Sequence, residues 1–296
     1  MTELPAGRVQ VSGRTTVLGI FGDPVSHSLS PVMQNEALRQ AGFDAIYVPF
    51  HVPAARLPQA VDAIAALGLR GVNVTIPHKE AVCTLLDELD DEAELIGAVN
   101  TVVNEDGRLK GFNTDGAGLV RSLREDLAFD PRGRRVLLLG AGGAARAAIV
   151  ALARAGCVHI DLVNRTRSRA EELRFRFQSR FSGTQIATHA LDDSLRSLLP
   201  DSDLVVNTTS IGLRGEAFAD FPWDAVSGRL SLYDMVYRPG GTPLVNQARR
   251  LGVRAVDGLG MLAAQGELSF CLWMGRMPPS GVMKRRLLAE IDDRRT

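Results

Sequence analysis

Excess charge of either sign, cysteine, aromatic side chains and long apolar runs are all scarce in this chain. Its 34 basic and 34 acidic residues cancel, so no basic surface argues for a nucleic-acid partner or an anionic membrane. No apolar run approaches the roughly 20 residues that span a bilayer. The opening MTELPAGRVQVSGR lacks the apolar segment of a signal peptide and is expected to be a loose tail. There are three cysteines, Cys83, Cys157 and Cys271. They share no metal-ligand spacing, sit in apolar contexts, and read as buried thiols of a reducing cytoplasm. The five histidines are scattered with no HExxH pair, so no catalytic metal is expected. What is present suits an ordinary globular protein: 296 residues, 45% of them hydrophobic, enough for two domains with their own cores.

The most informative stretch is Arg135 to Thr166. Val136 to Leu139 has the length and branching of a strand buried on both faces. It ends in Gly140-Ala141-Gly142-Gly143-Ala144-Ala145, a helical pattern runs on to Ala155, and Gly156 stops it. Ile160 to Val163 reads as the next parallel strand. The G-x-G-x-x-A spacing therefore stands in a strand–turn–helix–strand context, which makes it a dinucleotide-binding signal. Gly140 permits the tight turn, Gly142 lets a backbone approach a pyrophosphate, and Ala145 keeps the helix near the strand. Unpaired N–H groups and the positive end of the helix dipole then face the phosphate.

The end of the second strand selects the dinucleotide. An NAD site places Asp or Glu about 20 residues on, against the ribose 2′-hydroxyl. Here the strand ends in Asn164-Arg165-Thr166, with Arg169 close behind, and Asp161 lies too early, inside the strand. Arg165 and Arg169 offer forked donors to a 2′-phosphate, so the expected cofactor is NADP.

Ahead of this unit, strands and helices alternate. Thr16–Phe21, Tyr47–Phe50 and Val72–Thr75 read as strands, and the helix after His27-Ser28-Leu29-Ser30-Pro31 takes Ser30 as its N-cap. The pattern predicts a mostly parallel α/β layer with ligands outside the carboxyl ends of its strands. Four segments at such ends finish in polar groups: Ser28, Lys79 after Pro77, Asn100 before a hairpin turning at Asn104–Gly107, and Asp115. Asp115 is also placed to cap a helix over Ala117–Leu127. Independent caps would not need an ionisable Lys–Asp pair and an amide among them.

Beyond Thr166 the rhythm continues. A buried strand Leu204–Asn207 runs into Thr208-Thr209-Ser210, and a strand Leu232–Met235 is followed by Tyr237. Asp257-Gly258-Leu259-Gly260-Met261 then enters a final helical region carrying Gln265. The glycines let the chain pass close to a ligand, and Gln265 supplies an amide donor and acceptor.

Taken in order, HSLSP (27–31), NVTIPHK (73–79), GAVNT (97–101), GFNTDG (111–116), GAGGAARA (140–147), NRTRSRA (164–170), NTTSIG (207–212), YDMVY (233–237) and DGLGMLAAQ (257–265) resemble the shikimate dehydrogenase family. The resemblance implies NADP-dependent, reversible reduction of 3-dehydroshikimate to shikimate. It implies that Ser28 and Ser30 bind the substrate carboxylate, that Lys79 and Asp115 form the catalytic pair, and that Asn100 and Gln265 hold substrate hydroxyls. Thr75, Tyr237 and Gly258 match positions lining the substrate and nicotinamide pockets, and Thr208 and Met261 join the cofactor set. Asn164, Arg165, Thr166 and Arg169 match the NADP clamp.

The implied fold is two-domain α/β: a mostly parallel substrate domain (1–115 with 259–296), and a Rossmann-type, doubly wound NADP domain (116–258) from which the last helices return. Met33-Gln34-Asn35 is similar to the quinate/shikimate branch of the family, where many other members carry His before the Asn. Two alternatives therefore stay open: an enzyme with broader substrate or NAD use, and a non-catalytic NADP-binding sensor. The expected setting is the cytoplasm with a small-molecule substrate, no nucleic-acid or membrane partner, and a homodimer left open.

Overall fold

The computed structural model describes residues 11–192 and 194–294. Residues 1–10, on which the expectation of a loose tail chiefly falls, lie outside the described residues. The elements are β1 (Thr16–Gly22), α1 (Ser30–Gln40), β2 (Ala45–His51), α2 (Leu57–Ala66), β3 (Gly71–Val74), β4 (Glu88–Leu89), α3 (Asp91–Ile96), β5 (Thr101–Glu105), β6 (Arg108–Phe112) and α4 (Asp115–Leu127). They continue with β7 (Arg135–Leu139), α5 (Gly143–Arg154), β8 (His159–Asn164), α6 (Arg167–Gln178), β9 (Gln185–Ala190), α7 (Ser194–Leu198), β10 (Leu204–Asn207), β11 (Ser231–Asp234), α8 (Pro243–Arg250), β12 (Arg254–Asp257), α9 (Leu259–Met274) and α10 (Val282–Asp293). No helix among the described residues is long and apolar enough to cross a membrane.

The chain divides into two compact units. The first takes the chain up to Glu94, Ala98–Phe112 and Gly266–Leu287. The second takes Leu95–Gly97, Asn113–Gln265 and the chain from Leu288 onward, so Asp115 and Gln265 both belong to it.

In the first unit a six-stranded sheet runs β2-β1-β3-β5-β6-β4. Strands β1, β2 and β3 are parallel, and the β5–β6 hairpin adds antiparallel pairing. Its turn uses Asp106 and Gly107 at positive φ, with Asn104 Oδ1 accepting from the Gly107 N–H. Val61, Ile64, Val72, Val74, Val99 and Val102 are among the residues of a core in which α2 packs on this sheet.

In the second unit the order β12-β11-β10-β7-β8-β9 is all parallel. This is the doubly wound dinucleotide order, whose strand direction of travel reverses between β7 and β10. The strands are short continuous apolar runs because both faces are covered; Val136 to Leu139 are essentially inaccessible.

Three local expectations are corrected. Ser30 is the first residue of α1, not its N-cap; Leu29 holds the cap position and makes no side-chain cap bond. Ser30 instead donates its own N–H to Ser28 Oγ at 3.2 Å. Asp115 likewise opens α4 rather than preceding it, with Thr114 at the cap position. Of the thiols only Cys157 is buried, Cys83 and Cys271 being partly exposed. Burial pushes the Cys157 thiol up to about 11.

Candidate functional site

In the first unit one of the candidate substrate residues, Asn100, lies on a buried hydrogen-bond network. Ser30 and the Tyr47 side chain are both buried. The Tyr47 hydroxyl donates to Asn73 Oδ1 at 2.7 Å. Asn73 Nδ2 donates onward to Asn100 O at 3.0 Å, Thr101 Oγ1 at 3.1 Å and Ser269 Oγ at 3.1 Å. Thr101 Oγ1 donates to Asn100 Oδ1 at 3.0 Å and lies 2.7 Å from Ser269 Oγ. Burial raises the Tyr47 hydroxyl well above its ordinary range, so it stays a neutral donor at any working pH.

Around this network, Thr75 follows β3 with its N–H on Phe21 O, and Lys79 O accepts from the Val99 N–H at 2.8 Å, next to Asn100. Ser28 is held beside Ser30 by the bond from the Ser30 N–H. Tyr47, Asn73, Thr101 and Ser269 lie outside the set of site residues that the sequence motifs point to. The one local signal is Asn73, a polar residue in the middle of a strand that is buried throughout.

Gln34 is wholly buried. Its Nε2 donates to Gly266 O at 2.9 Å, which orients the amide, and its Oε1 has no partner among the described residues.

In the second unit Gln265 packs against the start of α4, the helix that Asp115 opens. The Asp115 N–H donates to Asn113 Oδ1 at 3.0 Å, and Thr114 Oγ1 donates to Gln265 O at 3.1 Å. Gly118, one turn into α4, lies so close to Gln265 that a Cβ there would sit 3.0 Å from both its N and its Cβ.

The glycine turn lies where the strand order reverses. Gly140 has φ +109°, which only glycine adopts without strain, and an added Cβ would meet Thr208 Oγ1 at 2.8 Å. Gly142 faces open space, with nothing within 4 Å of where a Cβ would stand. Ala145 is fully buried under α5, keeping that helix on the sheet. Thr208 Oγ1 donates to Leu139 O at 2.8 Å, and Tyr237 and Met261 are half-buried. Gly258 is in close contact with the Met235 backbone, leaving no room for a side chain.

A dinucleotide with a 2′-phosphate fits this donor set. Asp161, the one carboxylate on β8, is sequestered: His159 Nε2 and His189 Nε2 lie 3.1 and 2.9 Å from its Oδ1, and Arg135 lies 3.6 Å from its Oδ2. At the strand end Asn164 Nδ2 donates to Thr166 O at 2.8 Å, bracing the turn. Arg167 is tied to Glu171 at 2.9 Å. Arg165 and Arg169 are exposed, and neither guanidinium has a hydrogen bond or ion pair among the described residues.

Three segments of the chain match family models. Residues 20–102 match the family of the shikimate dehydrogenase substrate binding domain. Residues 123–213 match shikimate / quinate 5-dehydrogenase, and 258–288 the shikimate 5'-dehydrogenase C-terminal domain. The chain is 51% identical over 284 residues to the shikimate dehydrogenase (NADP(+)) of Geobacter metallireducens, covering 96% of this chain and 99% of that protein. Among solved structures it is similar to shikimate 5-dehydrogenase from Thermus thermophilus in complex with NADP(H) and shikimate. The identity there is 36% and the TM-score 0.83, over 93% of this chain and 99% of that one. It is also similar to the quinate dehydrogenase of Corynebacterium glutamicum in complex with NAD, at 29% identity and TM-score 0.85, covering 93% and 99%.

Proposed function

The chain belongs to the shikimate dehydrogenase family, and we propose that it catalyses the NADP-dependent, reversible reduction of 3-dehydroshikimate to shikimate in aromatic amino-acid biosynthesis. The observation that carries this is the second strand of the dinucleotide unit: its carboxylate, Asp161, is buried on two histidines, while Arg165 and Arg169 stand exposed beyond its end. That pattern favours a 2′-phosphate over a bare ribose.

In this reading Gly140, Ala141, Gly142, Gly143, Ala144 and Ala145 cradle the pyrophosphate. Asn164, Arg165, Thr166 and Arg169 hold the 2′-phosphate, and Thr208, Gly258 and Met261 line the nicotinamide side. When bound, the nicotinamide supplies the two-electron donor or acceptor. Ser28 and Ser30 take the substrate carboxylate. Asn100 and Gln265 take its hydroxyls, and Thr75 and Tyr237 are the remaining substrate-binding residues.

Lys79 gives a proton to the carbonyl oxygen as the ketone becomes an alcohol and removes it in the reverse direction. Asp115 orients the ammonium and holds the neighbouring hydroxyl. Such positioned acid–base help is worth about 10²–10⁴ in rate. The substrate domain is taken as 1–115 with 259–296, the cofactor domain as 116–258. The setting is cytoplasmic, the partner a small molecule, and a homodimer is compatible with it.

The test is a matrix of initial rates on the purified protein, shikimate and quinate against NADP and NAD. The reading requires the highest kcat/KM with shikimate and NADP. A higher value with quinate or NAD assigns the chain to the broader branch, and no turnover with any pair assigns it to cofactor binding alone.

A further inference from the structure

Four strand ends of the second unit stand on one rung of its sheet. Leu139 of β7 is beside Asn207 of β10, Asn207 is beside Asp234 of β11, and Asp234 is beside Asp257 of β12. Asn207 and Asp234 are wholly buried. The Asp234 carboxylate is engaged on both oxygens. Its Oδ1 accepts from Asn207 Nδ2 at 2.8 Å and from the Val236 N–H at 3.0 Å, and its Oδ2 accepts from the Thr242 hydroxyl at 2.6 Å.

Each donor governs a different segment. Asn207 Oδ1 accepts from the N–H and the hydroxyl of Thr209, at 2.9 and 2.7 Å, and Nδ2 also donates to Ile211 O at 3.1 Å. One side chain thereby fixes the chain from Asn207 to Ile211, including Thr208. Val236 O accepts from the Gly258 N–H at 3.2 Å. Thr242 caps α8 by accepting from the Val245 N–H at 3.2 Å.

Burying a carboxylate among neutral donors is costly. Burial pushes the Asp234 carboxyl up to about 6, and the nearby Asp257 adds to the rise. An apolar or amide residue would satisfy packing at less cost. What a carboxylate does, and an amide cannot, is accept from three donors while presenting none.

We propose that Asp234 is the positioning residue of the cofactor crevice: by accepting from Asn207, Val236 and Thr242 together, it locks the segments carrying Thr208 and Gly258 into one arrangement beside the glycine turn. The inference rests on the reading of Gly140–Ala145 as the NADP cradle. Movement of the Thr208 segment reaches that turn directly, since Thr208 Oγ1 is bonded to Leu139 O and sits 2.8 Å from where a Gly140 Cβ would be. Asp234 acts through these neighbours and needs no contact with substrate.

The test uses the full chain and the variants Asp234→Asn, Thr242→Val and Thr242→Ser. Asp234→Asn turns one acceptor into a donor aimed at a threonine oxygen that already accepts from Val245. KM for NADP is expected to rise about tenfold, the loss of roughly one hydrogen bond, with kcat and the KM for shikimate within a few-fold of wild type. Thr242→Val moves the same constant in the same direction, and Thr242→Ser, which keeps the hydroxyl, restores it. A cooperatively melting Asp234→Asn protein with an unchanged KM for NADP overturns the proposal. If that variant does not fold, an unchanged KM in Thr242→Val does so. If the wild type turns over no shikimate, the functional reading has failed separately. NADPH titration by calorimetry then decides: weaker binding by Asp234→Asn supports the role, and equal affinity overturns it.

Discussion

The hydroxyl of Tyr47 donates to Asn73 Oδ1 at 2.7 Å, joining β2 to β3 across the intervening β1 in the interior of the first unit. Through Asn73 it reaches Asn100. A residue proposed to hold a substrate hydroxyl, Asn100, is thus braced through Asn73 by one phenol.

Removing that hydroxyl leaves a buried amide oxygen unsatisfied. Tyr47→Phe should cost about 1–3 kcal/mol of stability and raise KM for shikimate several-fold while KM for NADP stays put. Thermal melts and initial rates check both, and a variant with wild-type KM would show that the network is structural only.

The arginines beyond β8 should discriminate between cofactors. Arg165→Ala and Arg169→Ala each remove a charge-assisted donor worth about 1.5–3 kcal/mol. KM for NADP should therefore rise by about tenfold to a hundredfold in each variant, with NAD kinetics barely altered. Equal losses with both cofactors would rule out a 2′-phosphate clamp.

Asp161 should behave in the opposite way. It is buried and shared by His159, His189 and Arg135, so Asp161→Ala should lower stability by about 1–3 kcal/mol and leave the NADP-to-NAD preference unchanged. A shift of that preference towards either cofactor would mean that Asp161 contacts the ribose after all.

The buried carboxyl of Asp234 gives a pH signature. Its folded value, about 6, lies above the ordinary 3.8, so between these limits the folded protein binds more protons than the unfolded chain. Its contribution to stability therefore rises as pH falls from about 6 to about 4, by up to about 3 kcal/mol, and is constant above that range. The melting temperature of wild type relative to Asp234→Asn should climb over that interval. Parallel curves would contradict the burial argument.

Much of this is legible in the chain because it is local. The β7–turn–α5–β8 unit is a contiguous pattern, and its glycines stand where backbone geometry demands them, at φ +109° for Gly140 and +88° for Gly156. Arg165 and Arg169 are readable for the same reason, close together beyond one strand. The bracing network is not: Asn73 and Ser269 are 196 positions apart, and no spacing rule connects them. Helix-end preferences misplace the Ser30 cap by one position: the helix begins at Ser30 itself, whose N–H is taken by Ser28 Oγ. Strand β4 and helix α3 escape a pattern reading because they are short, two and six residues, and carry acidic side chains where apolar periodicity would be sought.

The central claim is that Lys79 moves the proton, and the kinetics of Lys79→Ala test it most directly. The account predicts that kcat falls by about 10²–10⁴ while KM for shikimate changes only a few-fold and the fold stays intact by melting. A folded variant that keeps near-wild-type kcat would contradict it.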